Sequence, residues 1–352
     1  MKKIAITMGD PGGVGPEIIV KALNSPEVKN LYVPIVIGDV SVIEKALKLC
    51  KSPLSLRIIR SPEEAITTKR LINIIHVVPP APPFPHSGGF AEAKQKWGKE
   101  KSKVETFKKN KPTTEGGGAC VGYIRKAAEF ALSKQVAGMV TAPISKEALK
   151  MAGLKWPGHT EMLADLAKTR DYAMMLVGGP LKVILVTIHT ALKNVPDLIT
   201  RQRIVKTLRL AQRACDMLRI KKPKIAVAGL NPHAGEAGIF GDEEIRKIIP
   251  AIRQAMNEGI PVSGPYPPDT IFHKAYKGEV DIIVCMYHDQ GLIPLKMIAF
   301  DKGVNVTVGL PFIRTSPDHG TAYDIAWKGK ANPSSMIEAI RLAVKLTQKA
   351  FK

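Results

Sequence analysis

The feature that most constrains the fold is a repeated alternation of short apolar runs with longer amphipathic stretches. The apolar runs are rich in Val and Ile and predict strands at residues 4–8, 34–38, 73–78, 138–142, 182–188, 224–229, 281–287 and 304–309. The amphipathic stretches predict helices at residues 16–24, 41–49, 119–133, 145–152, 161–168, 199–218, 243–257 and 334–350. Continuous apolar strands separated by helices are typical of an α/β fold with a mainly parallel sheet.

The length and the charge of the chain narrow its organisation and its partners. A chain of 352 residues is long enough for about two domains. The proline-rich segment VVPPAPPFPHSGG, residues 77–89, predicts a loop or linker. The net charge is +21, but the lysines are spread along the chain, and the densest stretch, residues 95–112, also carries acidic residues. Aromatic residues make up only 5%, so we expect no nucleic-acid partner; a small anionic substrate is compatible with this charge.

Cysteine usage and hydropathy predict a cytoplasmic location. The four cysteines lie far apart in the sequence and form no CxxC pair, which favours free thiols in a reducing compartment. No apolar run reaches the roughly 18 residues that span a bilayer, so we expect no membrane partner. The segment MKKIAITMGD has no long apolar stretch of the kind found in export signals.

Three histidines occupy equivalent places, each just beyond a predicted strand. His189 follows KVILVTI, His233 lies in LNPHAGE after KIAVAG, and His288 follows DIIVCMY. Ligands of open α/β sheets bind outside the carboxyl ends of the strands. A single histidine there is often only a hydrogen-bonded turn residue, but three of them predict a catalytic divalent-metal site. Glu236 and Asp289 lie nearby and are candidates for orienting the imidazoles.

A second group of candidates consists of residues suited to binding anions. In WPGHTEML, His159 and Thr160 precede a predicted helix, with Thr160 as a possible N-cap and Glu161 in the first turn. Three polar residues of the C-terminal third could bind a phosphate or a carboxylate, and these are Lys296, Asn305 at the start of a strand, and Arg314 after one.

Two further segments allow either a functional or a purely structural interpretation. Asp269, in PYPPDTIF, is a carboxylate at a rigid turn or a simple N-cap. In DHGTAYDIAWKGKANP, Gly320, Thr321 and Ala322 are small enough for a ligand to approach the backbone, and Asp324 could bind both ribose hydroxyls of an adenosine while repelling a 2′-phosphate. The alternative is a turn with an N-cap.

The glycine-rich segment MGDPGGVGPEI, residues 8–18, does not match a known phosphate-binding loop. Gly13 and Gly15 fit the first two positions of GxGxxG, but Ile18 occupies the last, and no GK[ST] follows. Pro16 and Glu17 are typical of a helix start. We therefore predict that this segment is a structural turn and that the main contacts to a dinucleotide lie elsewhere in the chain.

The motifs together resemble the family of 4-hydroxythreonine-4-phosphate dehydrogenases, which act in pyridoxal 5′-phosphate synthesis. The similar segments extend in order over nearly the whole chain: GDPGGVGPEI, GHTE, TIHTALKNVP, LNPHAGE, GPYPPDTIF, YHDQGLIPLK, GVNVTVGLPFIRTSPDHGTAYDIA and GKANPSSM. The resemblance implies the isocitrate/isopropylmalate dehydrogenase fold and a homodimer with an active site shared between subunits. It implies a discontinuous cofactor-side domain, residues 1–135 plus 290–352, and a central domain, residues 136–289, with the metal ligands and the dimer interface.

The resemblance also implies roles for individual residues. It makes His189, His233 and His288 ligands of Zn²⁺, Mg²⁺ or Co²⁺. It assigns substrate binding to His159, Thr160, Lys296, Asn305 and Arg314, and catalytic positions to Asp269, Asp289 and Lys296. It assigns dinucleotide binding to His319, Gly320, Thr321, Ala322 and Asp324. The last segment is similar to the adenosine-binding loop of isopropylmalate dehydrogenases, in which the equivalent of Asp324 favours NAD over NADP, but this chain departs from that loop at Tyr323 and Trp327.

The implied reaction is oxidation of 4-phosphooxy-L-threonine at C3, followed by decarboxylation to 3-amino-2-oxopropyl phosphate. Three alternative substrates would suit a related enzyme of the same fold: D-threonate 4-phosphate, D-erythronate 4-phosphate and a cis-dihydrodiol carboxylate. The residues leave open which carboxylate, or a metal-bound water, acts as the base.

Overall fold

The described residues divide into two compact units of mixed α/β structure. A computed structural model of the chain describes residues 1–67, 70–78 and 108–348. Unit 1 comprises Met1–Thr169 with Leu310–Lys352, and unit 2 comprises Arg170–Gly309. The first unit is discontinuous in sequence, and the unit boundaries lie at 169/170 and 309/310, whereas the domains in the sequence analysis have boundaries at 135/136 and 289/290. Most of the predicted proline-rich loop and of the basic stretch lies outside the described residues.

The strands of unit 1 form an all-parallel sheet in the order β3-β4-β2-β1-β5-β12. They are β1 (Lys3–Thr7), β2 (Val33–Gly38), β3 (Ser55–Ile58), β4 (Leu71–His76), β5 (Gly138–Thr141) and β12 (Ile313–Pro317). The helices of this unit are α1 (Gly15–Asn24), α2 (Val40–Leu49), α3 (Thr114–Leu132), α4 (Lys146–Met151), α5 (His159–Leu166) and α11 (Ser334–Thr347), and a 3₁₀ turn covers Pro62–Glu64.

Strand β12 explains why residues after 309 return to unit 1. It pairs in parallel with β5, with Arg314 opposite Met139, and β5 in turn pairs with β1. Because β5 lies between these two strands, residues 138–141 belong to the first sheet and not to the central domain.

The strands of unit 2 run in the order β11-β6-β7-β10-β8-β9. They are β6 (Ala173–Gly178), β7 (Leu181–Leu185), β8 (Ile225–Ala228), β9 (Val262–Tyr266), β10 (Ile282–Cys285) and β11 (Val304–Val308). Strands β11, β6 and β7 pair antiparallel, whereas β7, β10, β8 and β9 pair in parallel. The helices are α6 (Val195–Leu198), α7 (Arg201–Leu218), α8 (Ile249–Asn257), α9 (Pro268–Tyr276) and α10 (His288–Ala299), with single turns at Leu192–Asn194, Pro232–Gly238, Glu244–Ile248 and Phe300–Lys302.

The core of unit 2 lies between this sheet and the two helices α9 and α10. Apolar side chains of β7, β8 and β10 pack against Ile271 of α9 and against Leu292 and Leu295 of α10. Removing such surface from water stabilises the sheet by about 25 cal/mol per Å². The rigid central strands therefore hold their carboxyl ends, and the residues that follow them, in fixed positions.

All eight predicted strands are present, and four further strands were not predicted. Strands β3, β6, β9 and β12 are missing from the sequence-based prediction, as are helices α9 and α10. Sequences such as IRTSP and VSGPY combine polar residues with proline, which hides them from a search for apolar runs. Helix α10 contains Pro294, a residue that usually ends a helix.

Two predictions about chemistry and environment can be compared with the structure directly. All four cysteines are free, as expected. Among the described residues, no helix combines the length and the apolar character required to cross a bilayer.

Candidate functional site

The three predicted metal ligands follow three neighbouring parallel strands of unit 2. His189 follows β7, His288 opens helix α10 directly after β10, and His233 follows β8; the sheet order is β7-β10-β8. The rings of His189 and His288 lie with their centroids 5.6 Å apart. The three strand ends that precede these histidines therefore lie side by side in the sheet. Among the described residues, no three His, Cys, Asp or Glu side chains are grouped closely enough to hold a metal ion.

The two carboxylates predicted to orient the imidazoles contact them. His288 Nδ1 lies 2.7 Å from Asp289 Oδ1, within hydrogen-bond distance. His233 Nδ1 lies 3.5 Å from Glu236 Oε2, and its ring is 6.0 Å from that of Phe240. Carboxylates in such positions fix the orientation of a metal-binding imidazole.

Three buried hydrogen bonds tie the three strand ends together, and the sequence analysis identified none of them. Gln290 Nε2 donates to the carbonyl of Gly229 at 2.7 Å, and the backbone N–H of Met286 donates to Gln290 Oε1 at 2.7 Å. Thr187 Oγ1 donates to the carbonyl of Met286 at 2.7 Å. These bonds join the segments that precede His189, His233 and His288. The only sequence signal for Gln290 is its place in HDQG.

The segment carrying His233 has an unusual backbone. Five consecutive residues, 233–237, have positive φ, and four of them are not glycine. His189 also has positive φ, at 26°. Left-handed backbone costs roughly 1–2 kcal/mol for each non-glycine residue. Strain of this kind persists only where the surroundings enforce it, and it concentrates at functional sites.

A buried carboxylate, Glu244, stabilises this strained segment. Its side chain is 1% exposed. Its Oε1 accepts hydrogen bonds from the backbone N–H groups of Leu230 and Asn231 at 2.7 and 2.8 Å, and its Oε2 accepts one from Asn231 Nδ2 at 2.9 Å. A Cβ atom on Gly235, whose φ is 81°, would come within 2.8 Å of Glu244 Oε2, so a side chain at this position would displace the carboxylate. Glu244 thus fixes the turn that presents His233.

The other candidates of unit 2 lie on separate elements. Asp269 is exposed in the first turn of α9, whose N-cap is Pro267, so the N-cap interpretation of Asp269 is wrong. Lys296, in the last turn of α10, places Nζ 5.6 Å from the ring centroid of Phe300. Asn305 is the second residue of β11 and pairs with Leu176 of β6.

In unit 1, the structure brings His159 and Arg314 together, two of the predicted anion-binding residues. Arg314 is 2% exposed, and its Nε and Nη2 atoms donate to Thr141 Oγ1 at 3.1 and 2.8 Å. Burial lowers the pKa of Arg314 to about 9, which leaves it charged at neutral pH. Arg314 lies within β12. The sequence analysis placed it after a strand because β12 was not among the predicted strands.

His159 is held neutral beside this cation. Burial and the nearby charge of Arg314 keep the pKa of His159 well below its usual value. Its Nε2 atom is shielded from solvent and has no hydrogen-bond partner among the described residues. A buried guanidinium beside an unsatisfied imidazole nitrogen forms an environment that favours an anionic ligand with hydrogen-bonding groups.

Thr160 does not cap the helix as predicted. Helix α5 begins at His159, and its N-cap is Gly158, whose side chain can make no cap bond. Thr160 lies inside the first turn and is buried, and Glu161 is in the first turn as expected. The extended backbone of Gly158 moves the helix start two residues earlier than a threonine cap at residue 160 would.

The predicted dinucleotide segment is a turn of unit 1 with an accessible backbone. A Cβ atom on Gly320 would meet open space, and Ala322 has a positive φ of 42°. His319 and Asp324 are exposed, whereas Thr321 is buried. A ligand can therefore approach the backbone at Gly320, with the carboxylate of Asp324 at the surface.

Comparison with known proteins identifies the family. The sequence model for the family described as "Pyridoxal phosphate biosynthetic protein PdxA" matches residues 30–343.

The chain belongs to the PdxA family.

Several relatives of this PdxA family member match it over nearly their whole length. It is 47% identical to a protein of Trichlorobacter lovleyi named 4-hydroxythreonine-4-phosphate dehydrogenase, covering 98% of this chain and 97% of the relative. It is 44% identical to a protein of Salmonella typhimurium named D-threonate 4-phosphate dehydrogenase, covering 98% and 99%. A crystal structure of 4-hydroxythreonine-4-phosphate dehydrogenase from Klebsiella pneumoniae matches with a TM-score of 0.86 and 43% identity, covering 99% and 98%. The predicted α/β fold class is confirmed.

We predict that Glu244→Ala lowers the free energy of unfolding by about 2–4 kcal/mol. The backbone N–H groups of Leu230 and Asn231 lose their acceptor, and each unsatisfied buried group costs about 1–3 kcal/mol. Chemical denaturation measures the free energy of unfolding, and Glu279→Ala, at an exposed position of the same unit, is the control. Equal stability of the two variants would contradict this role for Glu244.

We also predict that Arg314→Met raises the pKa of His159, because the variant removes the cation that disfavours the imidazolium. An NMR titration of the histidine ring resonances measures this, with the exposed His273 as internal reference. A His159 resonance that titrates as in the wild type would show that Arg314 does not act on it.

Proposed function

We propose that this chain is an NAD-linked, metal-dependent dehydrogenase that converts 4-phosphooxy-L-threonine to 3-amino-2-oxopropyl phosphate and CO2 in pyridoxal 5′-phosphate synthesis. The observation that carries this proposal is the placement of His189, His288 and His233 after three neighbouring parallel strands. The chain also matches, over 98% of its length, a relative that is named 4-hydroxythreonine-4-phosphate dehydrogenase. The same enzyme name belongs to the K. pneumoniae structure.

The side-chain chemistry of the three histidines in unit 2 suits a divalent metal. Imidazole is a common ligand of Zn²⁺ and Co²⁺, and three protein ligands leave room for a substrate oxygen, as catalytic sites require. His189 and His288 are already neighbours, and Glu236 and Asp289 contact two of the three imidazoles. Bound by these histidines, Zn²⁺, Mg²⁺ or Co²⁺ would polarise the C3 hydroxyl and stabilise negative charge on that oxygen.

The reaction then proceeds in two steps, an oxidation and a decarboxylation. In the oxidation, a bound nicotinamide would accept a hydride from C3, and a base would take the proton of the C3 hydroxyl; Asp289 and Asp269 are the candidates for this base. In the decarboxylation, the C1–C2 bond breaks, CO2 leaves, and C2 takes up a proton. The cation of Lys296 stabilises the negative charge that develops in this second step.

Recognition of the two anionic groups of the substrate falls to positive and hydrogen-bonding side chains. Arg314 is held by its Nε and Nη2 atoms on Thr141, and its buried positive charge would attract a phosphate or carboxylate. Neutral His159 offers Nε2 to the same ligand, and Thr160 lies in the same first turn. We assign Lys296 and Asn305 to substrate binding as well.

The dinucleotide is assigned to residues His319, Gly320, Thr321, Ala322 and Asp324. The open space at Gly320 and the exposed carboxylate of Asp324 fit an adenosine ribose. A carboxylate accepts hydrogen bonds from both ribose hydroxyls and repels a 2′-phosphate, so we expect NAD to be preferred over NADP.

A second candidate reaction is oxidation of D-threonate 4-phosphate. The observation that favours it is the 44% identity to the S. typhimurium protein of that name, over 98% of this chain. The two substrates differ at C2, which carries an ammonium group in one and a hydroxyl in the other. D-Erythronate 4-phosphate and a cis-dihydrodiol carboxylate complete the set of alternatives.

A substrate panel tests the function. We expect metal-dependent NADH formation with the highest kcat/KM for 4-phosphooxy-L-threonine, by about tenfold or more, because a site that pairs an ammonium group loses that interaction with a hydroxyl. Each substrate is assayed by NADH absorbance with NAD and NADP. A higher kcat/KM for D-threonate 4-phosphate would overturn the first assignment in favour of the second.

We further propose that the enzyme is a cytoplasmic homodimer that uses the exposed apolar face of helix α10. Ile293, Met297 and Phe300 recur at helical spacing and are 60%, 84% and 75% exposed. Apolar side chains grouped in this way typically mark a protein–protein interface. The four free thiols are compatible with a reducing compartment.

We predict that Met297→Glu converts the dimer to a monomer, because a charge placed in an apolar interface has no partner there. Light scattering coupled to size-exclusion chromatography measures the mass. Met256→Glu, at another exposed methionine of the same unit, is the matched control and should stay dimeric. A monomeric wild type, or a Met297→Glu dimer, would exclude this face as the interface.

A further inference from the structure

The glycine-rich loop of the N-terminal segment and the predicted dinucleotide segment form one structure within unit 1. The backbone N–H of Val14 donates to the carbonyl of Thr321 at 2.9 Å. Farther along, the N–H of Ala331 donates to the buried carboxylate of Glu17 at 2.8 Å. Lys21 Nζ donates to the carbonyls of Gly329 and Ala331 at 2.9 and 2.7 Å. Two segments separated by some three hundred residues of sequence are thus joined along their length.

The glycines of this loop make room for protein and not for a phosphate. A Cβ atom on Gly13 would lie 3.0 Å from the Cβ and the carbonyl oxygen of Thr321. A Cβ atom on Gly12 would lie 2.7 Å from the carbonyl oxygen of Lys108. The space that a phosphate-binding loop leaves for its ligand is filled here by neighbouring backbone. This agrees with the prediction that the loop is a structural turn.

A partly buried hydrogen bond from Tyr323 to Asp10 also links the two segments. The phenol Oη donates to Asp10 Oδ2 at 2.7 Å, while Oδ1 accepts the backbone N–H of Gly12 at 2.8 Å. Burial raises the pKa of Asp10, and it also raises the pKa of Tyr323. The carboxylate of Asp10 is buried and Tyr323 is half-buried, and hydrogen bonds to a carboxylate shielded from water are strong.

Trp327 and Asn110 add further hydrogen bonds between the two segments. Together with the bond from Tyr323 to Asp10, these contacts form what we call the clamp. Trp327 Nε1 donates to the carbonyl of Pro11 at 3.0 Å, and Lys109 Nζ lies 4.7 Å from the centroid of its indole ring. The backbone N–H of Asn110 donates to the carbonyl of Gly12, and its Nδ2 donates to the carbonyl of Tyr323, both at 3.0 Å. Tyr323 and Trp327, at which this chain departs from the similar adenosine-binding loop, are thus the residues of this segment whose side chains hydrogen-bond to the glycine-rich loop.

We propose that Tyr323 and Trp327 are positioning residues for the dinucleotide, which fix residues 319–324 on Asp10 and Pro11 in the conformation that binds the adenosine. This inference rests on the proposed assignment of that segment to the dinucleotide. A segment held in its binding conformation loses less conformational entropy when the ligand binds, and the affinity is correspondingly higher. The glycine-rich loop then serves the cofactor as the support of its binding turn, without contact to a phosphate.

Tyr323→Phe tests this proposal, because it removes one hydroxyl and retains the ring. Loss of a hydrogen bond to a carboxylate corresponds to roughly a tenfold or greater change in an equilibrium constant. We expect the Kd of NADH, measured by its fluorescence, and the KM of NAD to rise about tenfold. We expect kcat at saturating NAD and the KM of the phosphorylated substrate to change less than twofold. Amide hydrogen exchange at residues 319–327 should become faster.

The chain offers a matched control. The hydroxyl of Tyr32 is also buried in unit 1, and it has no hydrogen-bond partner among the described residues. Tyr32→Phe should leave NADH binding and both KM values unchanged. Trp327→Phe, which removes the indole N–H, should weaken NADH binding in the same direction as Tyr323→Phe.

The outcomes separate this inference from the proposed function. If the wild type binds NADH, and Asp324→Ala weakens that binding but Tyr323→Phe does not, the clamp is refuted and the dinucleotide assignment stands. If Asp324→Ala has no effect on NADH binding, the assignment of the segment itself fails. If Tyr323→Phe raises both KM values equally or lowers kcat, the residue has a general structural role, and the inference is overturned.

Discussion

The arrangement of the candidate metal ligands depends on the parallel pairing of β7, β10 and β8 and on the hydrogen bonds that cross their carboxyl ends. Parallel neighbours end at the same edge of a sheet, so residues after each strand meet there. Thr187 and Gln290 fix the relative positions of these strand ends, because the side chain of each donates a hydrogen bond to the backbone at an adjacent strand end. The apolar core beneath makes the strands rigid, and the polar cross-links fix the segments that carry the histidines.

Both units contain buried charged groups that are held by hydrogen bonds to neighbouring segments. Glu244 holds a left-handed turn that would be unfavourable alone, and Asp10 holds the segment around Tyr323. Arg314, buried on Thr141, keeps a cation where water cannot screen it. Each of these groups requires satisfied hydrogen bonds to be tolerated in the interior. They fix loops whose conformations are otherwise costly, and those loops carry the residues to which we assign the chemistry.

The sequence predicted the strand ends because continuous Val and Ile runs such as KVILVTI are an unambiguous signal of buried strands. It could not predict β12, whose sequence IRTSP has no such pattern and is buried through pairing with β5. The same failure misplaced Arg314. The roles of Glu244, Gln290 and Asp10 depend on partners 14, 61 and 313 positions away, and periodicity detects only local order. Thr160 was misassigned because a local capping signal competed with the extended backbone at Gly158.

The central claim is that His189, His233 and His288 together hold one divalent metal ion, and a Co²⁺ titration of the metal-free protein tests it most directly. The visible absorption of bound Co²⁺ reports its ligands, and calorimetry gives stoichiometry and affinity. We predict one Co²⁺ per chain, with affinity reduced at least tenfold in each single His→Ala variant, and no such loss in the exposed His273→Ala. Unchanged affinity in His233→Ala or His288→Ala would contradict the account.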